Sequence, residues 1–157
     1  MKIYVGNLLI KMYYPNVLSF LVKKVGFEQA KTRIFQIGQE TGREMLKVWD
    51  PKTKDVKTLI LKWYKLMWNK NKNVKITMAE ENRKIIYHII DKKCNVCEPE
   101  LIIEGLQVPC VSMAGNFDAC MEYLAKILPI QSFQVQTVKS LATGDPYCEH
   151  QIELVRG

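Results

Sequence analysis

Apolar residues recur three and four apart through the first third of the chain. Val17, Leu18, Leu21, Val22 and Val25 mark one face, the spacing at which helical side chains line up. Pro15 stands where helices start, since its missing N–H would be unpaired there. Gly26 is placed to end the run. Residues 1–14 are apolar without a clear period and read as an irregular N-terminal segment. A second helix is predicted over Phe27–Val48, with a stripe of Phe27, Ala30, Ile34, Ile37, Thr41, Met45 and Val48. Gly38 and Gly42 lie four apart on it. Each glycine costs a helix about 1 kcal/mol, so close approach of another backbone is the expected compensation. A membrane reading of that spacing fails, because Arg33, Glu40, Arg43 and Glu44 surround it.

Asp50 and Pro51 break the pattern, and a third helix is predicted from about Lys54 to Trp68. Val56, Leu59, Ile60, Trp63 and Met67 form one face, while Leu61, Tyr64, Leu66 and Trp68 lie off it. A helix apolar on more than one side is buried on more than one side, against a core, a ligand or a second subunit. The polar tract Asn69–Asn73 reads as a loop.

The texture then changes to period two. Val74, Ile76 and Met78 alternate with polar neighbours, Glu80–Arg83 make a turn, and Ile85–Ile90 is a more buried strand. A long connection, Asp91–Pro109, leads to a fourth helix over about Ser112–Leu128, with Ser112 as cap and Pro129 as stop. Its stripe is Met113, Phe117, Cys120, Leu124 and Ile127. Gln131–Val138 and Tyr147–Val155 are strands around a Gly144-Asp145-Pro146 turn. Cys148, His150, Ile152 and Leu154 share one face of the last strand. Strands joined by short turns pair antiparallel. The order predicts an α+β domain: a four-stranded antiparallel sheet with helices packed on one side.

A length of 157 residues suits one domain over 1–157. No apolar run reaches the ~18 residues of a membrane span, and Met1–Gly6 lacks the start of a signal peptide, so a cytoplasmic location is expected. The chain carries 23 Lys+Arg against 16 Asp+Glu, a net charge of +7. Lys52, Lys54, Lys57, Lys62, Lys65, Lys70, Lys72 and Lys75 crowd one stretch. That is either a nucleic-acid footprint or a lysine-rich surface. Arginine is scarce, at positions 33, 43, 83 and 156 only. Since arginine reads bases and phosphates better, the plain surface is favoured.

Five cysteines in a chain read as cytoplasmic call for another account. Cys94 and Cys97 form a C-x-x-C knuckle: half of a thiolate metal site, a redox pair or a disulfide. Cys110 precedes the fourth helix, whose N-terminus favours thiolate. Cys148 opens the last strand, and Cys120 lies on an apolar stripe where packing is the default. Four thiolates would close a zinc site with no open position, structural and not catalytic. Iron at the same thiolates and reduced cysteines without metal are the alternatives.

The stretch from Ser140 through Gly144-Asp145-Pro146 and Cys148 to Ile152 resembles the closing hairpin of the 4-vinyl reductase domain family. Gly26–Trp49 is similar to its long early helix, and Val108-Pro109-Cys110 to its proline–cysteine helix entry. The resemblance covers about residues 15–155. It implies the fold of TRAPP tethering-complex subunits, often dimeric. The family includes a protein of bacteriochlorophyll synthesis, aromatic-effector sensor domains of transcription activators, and stand-alone archaeal members described as hydrocarbon-binding. In the sensors, zinc is held by a cysteine at the helix entry, a glutamate and a cysteine before the last turn, and a cysteine after it. Cys110 and Cys148 match the first and last. Thr137 and Ser140 stand at the other two positions, and neither is a good zinc ligand. The implied zinc set is Cys94, Cys97, Cys110 and Cys148, with the C-x-x-C pair replacing the two missing ligands.

The expected function is binding of a small apolar or aromatic molecule, sensory or regulatory, by a homodimer of the archaeal type. Trp63, Met67, Tyr87, His88, Met113 and Phe117 are the candidate ligand residues, each equally an ordinary core residue. His88, in an apolar strand, and His150, on the Cys148 face, are either satisfied core histidines or polar handles for a phenol-like or carboxylate ligand. A tetrapyrrole-type reductase is the alternative that the family name implies, but no nucleotide, flavin or triad motif is evident. A dimeric assembly module with a basic, nucleic-acid-facing surface is the third reading.

Overall fold

The structure, a computed structural model, describes residues 2–69, 72–97 and 109–157, with side chains from residue 13 onward. Helices α1 (Lys2–Val25), α2 (Phe27–Val48) and α3 (Val56–Trp68) precede the hairpin β1 (Val74–Glu81) and β2 (Lys84–Asp91). Helix α4 (Val111–Ala125), strand β3 (Ile130–Lys139), a short 3-10 turn (Leu141–Thr143) and strand β4 (Cys148–Arg156) follow. Parts of two expected connections, residues 70–71 and 98–108 (Lys70 and Val108 included), lie outside the described residues.

The four strands form one antiparallel sheet in the order β1-β2-β4-β3, so the two hairpins meet along β2 and β4. The α+β architecture is the one the sequence predicts. Asn82 and Arg83, both at positive φ, make the two-residue turn between β1 and β2. Register places Ile76, Ile89, His150 and Thr137 in one row across the sheet, and Asp91 opposite Cys148 in another. Ile85, Tyr87, Ile89 and Asp91 alternate inward along β2, towards the helices.

Helix α2 fits α4 through missing side chains. A Cβ on Gly38 would sit 2.1 Å from the Ser112 carbonyl oxygen, and one on Gly115 equally close to the Phe35 carbonyl. A Cβ on Gly42 would stand 2.7 Å from that of Ala119. Polar pairs flank this seam. The Gln39 amide donates to Asp118 at 2.8 Å, and the Arg43 guanidinium donates twice to Glu122, at 2.8 and 2.6 Å. The backbone approach expected from Gly38 and Gly42 is therefore present, and its partner is α4.

Two expectations need correcting. Residues 2–14 are helical rather than irregular, and Pro15 lies inside α1 rather than at its start. The segment is apolar on most sides, so no stripe marks it, and no proline interrupts it. An internal proline removes one hydrogen bond and costs roughly 3 kcal/mol. Contacts beside it offset this: the Tyr14 hydroxyl donates to the Pro109 carbonyl at 2.7 Å and meets Ser112 Oγ at 2.9 Å, while Leu18 packs on Ile34 and Val111. Second, Ser112 is not the cap of α4. Cys110 holds that position, and Ser112 lies within the helix. Helix α3 is buried on more than one side, as its sequence leads one to expect: Tyr64 is buried, and Leu61, Met67 and Trp68 pack against the core, which leaves Leu66 exposed at 42%. The helix begins at Val56 because Asp55 caps it, accepting the Thr58 N–H at 2.7 Å.

In an open helix, Gly→Ala would stabilise by about 1 kcal/mol. At Gly38 the added methyl meets backbone, and overpacking of this kind costs about 1–3 kcal/mol. Gly38→Ala is therefore expected to lower the unfolding free energy in urea titration, and a gain would contradict the seam.

Candidate metal centre and the layer beside it

Four cysteines from three parts of the fold converge at one end of the sheet. Cys94 and Cys97 lie in a tight turn after β2, where the Cys97 N–H donates to the Cys94 carbonyl at 3.1 Å. Cys110 is the N-cap of α4, and Cys148 opens β4. Their sulfurs all lie within 4.8 Å of one another, all four residues are buried, and all are free thiols. Among the described residues no other group of three or more His, Cys, Asp or Glu is so placed. Cys120 is buried in α4 outside this group, and burial pushes its thiol up.

Thiols this close share their protons unevenly. Hydrogen bonds from Cys110, Cys148 and Cys94 hold Cys97 far below the ordinary thiol range. Cys94 is pushed well up, chiefly by Cys110, and Cys110 is pushed well up, chiefly by Cys148. The close sulfurs thus hold Cys94 and Cys110 towards the protonated form and Cys97 towards the thiolate. A divalent cation at the centre replaces those protons and lets every sulfur ionise. Thiolates about such an ion at ~2.3 Å stand roughly 3.8 Å apart, so the donor set suits it in number, kind and spacing.

The two positions that the resemblance matched to ligands differ in place. Ser140 adjoins the cluster, with Oγ 3.5 Å from Cys97 Sγ and 3.7 Å from Cys110 Sγ. Thr137 is turned to His150, with its Oγ1 2.9 Å from the ring Nδ1.

Next to the thiols lies the layer between helices and sheet. Trp63, Tyr87, Met113 and Phe117 are buried in this one cluster, and Met67 packs against it. His88 is not with them. It faces the opposite side of the sheet, where Nδ1 lies 2.8 Å from Glu149 Oε1 and 3.3 Å from Gln151 Nε2. The histidine inside the layer is His150. Its ring stands edge-on to Phe117, with centroids 5.4 Å apart, and Phe117 in turn lies 5.8 Å from the Tyr64 ring. Burial pushes His150 down to about 4, so the ring is neutral at pH 7.

The layer holds polar atoms without partners: Trp63 Nε1, Tyr64 Oη and His150 Nε2 are buried and make no hydrogen bond. The Tyr64 hydroxyl lies close enough to Asp91 to favour its charge, yet not in hydrogen-bond geometry. A buried donor or acceptor left unpaired costs about 1–3 kcal/mol, so such a group usually meets water or a guest. Sequence reasoning weighed His150 but placed Tyr64 off the main apolar face of α3. Its i+4 relation to Ile60 is the signal that would have found it.

The arrangement is an α+β domain with an apolar interior and a thiol cluster at its edge, and solved structures share that fold. The chain is similar to trafficking protein particle complex subunit 3 from Naegleria fowleri, covalently bound to palmitic acid. The TM-score is 0.73 at 16% identity, over 98% of this chain and 99% of that one. It is also similar to the phenol-responsive sensory domain of the transcription activator PoxR, solved with phenol. That TM-score is 0.63 at 14% identity, over 92% of this chain and 74% of the other. No protein-family model matches the sequence, and no curated protein does. No described helix is long and apolar enough to cross a membrane.

Proposed function

We propose that the chain is a binding domain for a small apolar or aromatic molecule, of the 4-vinyl reductase type, with a structural zinc ion. The observation that carries this reading is the set of unpartnered polar atoms buried in this layer: Trp63 Nε1, and beside the Phe117 ring the side chains that carry Tyr64 Oη and His150 Nε2. An apolar layer with a few convergent polar groups is the usual make-up of a ligand site. A guest with a hydroxyl or carboxyl group satisfies one or more of them, while its apolar body meets Phe117, Met113 and Trp63. The neighbouring folds holding palmitic acid and phenol support this chemistry.

Zinc would be held by Cys94, Cys97, Cys110 and Cys148 and would supply structure by linking the β2 loop, α4 and β4. Four protein thiolates fill its coordination, so no reacting group is assigned to it. The ligand layer and the metal share α4, through Cys110 and Phe117, and β4, through Cys148 and His150.

Structural zinc contributes about 10–16 kcal/mol to the folding of zinc-finger peptides. Even a third of that is a shift of roughly 10 °C in melting temperature for a chain of this size. Removing metal with a strong chelator, or substituting Cys94→Ser, is expected to lower the melting temperature by that order. Cys120→Ala is expected to keep one zinc per chain. Equal melting with and without chelator contradicts the metal reading.

For the ligand, native mass spectrometry of protein purified without chelator is expected to show a bound apolar molecule. Phenol or palmitic acid added to ligand-free protein is expected to change tryptophan fluorescence saturably. Trp63→Phe and Tyr64→Phe remove a polar atom each and are expected to weaken binding by roughly tenfold, about 1.4 kcal/mol. A chain with no copurified molecule and no saturable response to either probe overturns the ligand reading.

A further inference from the structure

We propose that Ser140 is a positioning residue of the thiol cluster, its hydroxyl donating to the Cys97 sulfur when this is a thiolate. The inference rests on the metal reading above and assigns the side chain that holds a ligand from a different part of the chain.

Ser140 is 1% exposed, and its Oγ lies 3.5 Å from Cys97 Sγ and 3.7 Å from Cys110 Sγ. The direction of its hydrogen bond follows from its other partners. The Ala142 N–H at 3.3 Å and the Cys110 thiol at 3.7 Å both donate to Ser140 Oγ, which occupies its acceptor sites and leaves the hydroxyl proton for Cys97 Sγ. In that buried position it has sulfur in front of it. The backbone cannot drift away, because the Ser140 N–H donates to Asp145 Oδ2 at 2.9 Å and its carbonyl accepts from Thr143 Oγ1 at 2.8 Å. The next residue acts in the same sense: the Leu141 N–H donates to Cys148 Sγ at 3.3 Å. Residues 140 and 141 thus present two fixed donors to two of the four sulfurs, those of Cys97 and Cys148.

Those donors answer a need. Four thiolates around a divalent ion carry a net charge of −2 in a buried place. Hydrogen bonds to ionised sulfur are charge-assisted, and groups of this kind behind the ligands tune metal affinity about 10–100-fold.

The test is titration of the full chain with cobalt(II), followed by zinc competition against a chromophoric chelator. Ser140→Ala is expected to weaken metal binding about 10–100-fold and to shift the thiolate-to-cobalt charge-transfer band. Ser140→Thr keeps the hydroxyl and is expected to keep both near wild type. If Ser140→Ala does not fold, Ser140→Gly reads the same loss without a methyl against the sulfurs. Unchanged affinity and band in the variant lacking the hydroxyl overturn the proposal. Equal loss in Ser140→Thr and Ser140→Ala also overturns it, since the hydroxyl would then be irrelevant. A wild-type chain that binds no cobalt overturns the metal reading itself, and this inference with it.

Discussion

Four buried sulfurs within 4.8 Å of one another are the constraint on which the functional end of this fold depends. They come from the loop after β2, the N-cap of α4 and the first position of β4. Thiols packed so closely resist ionising together: Cys94 and Cys110 are held towards the protonated form and Cys97 towards the thiolate. A central cation would offset that repulsion and turn a crowded corner into a cross-link. Such a cross-link would fix the start of the helix that carries Met113 and Phe117, and the start of the strand that carries His150.

Helix α4 is held from the other side by the glycine seam. Gly38, Gly42 and Gly115 let two backbones meet where any side chain would force them apart. The Arg43–Glu122 and Gln39–Asp118 pairs close the edges of the contact. Tyr14 adds a third restraint, reaching from α1 to the Pro109 carbonyl just ahead of Cys110. With both faces and its N-terminus restrained, α4 is a rigid wall. The unpartnered atoms of Trp63, Tyr64 and His150 then stand out as polar points in an apolar layer, which is how a site selects a guest by its polar end.

Much of this was legible in the residues. The period of α2 gave its limits at Phe27 and Val48, and its two glycines announced a close neighbour. The hairpins followed from the Asn82-Arg83 and Gly144-Asp145 turns. Cys148 and His150 fell on one inward face because that strand alternates cleanly. The failures share a cause: a run apolar on every side carries no phase. Residues 2–14 form a helix with no visible stripe. Ile85, Ile86, Ile89 and Ile90 surround Tyr87 and His88 with isoleucine on both faces, so the sequence did not tell which of the two points inward. The structure turns Tyr87 in and His88 out, and it leaves His150 as the interior histidine. Ser140 was read as a lost ligand, and only the folded turn shows it against the sulfurs.

The claim at the centre of this account is that the four sulfurs share one metal ion. X-ray absorption at the zinc edge of protein purified without chelator tests it most directly. The account predicts a single shell of four sulfur neighbours at ~2.3 Å. A shell containing nitrogen or oxygen, or a chain without zinc, would contradict it.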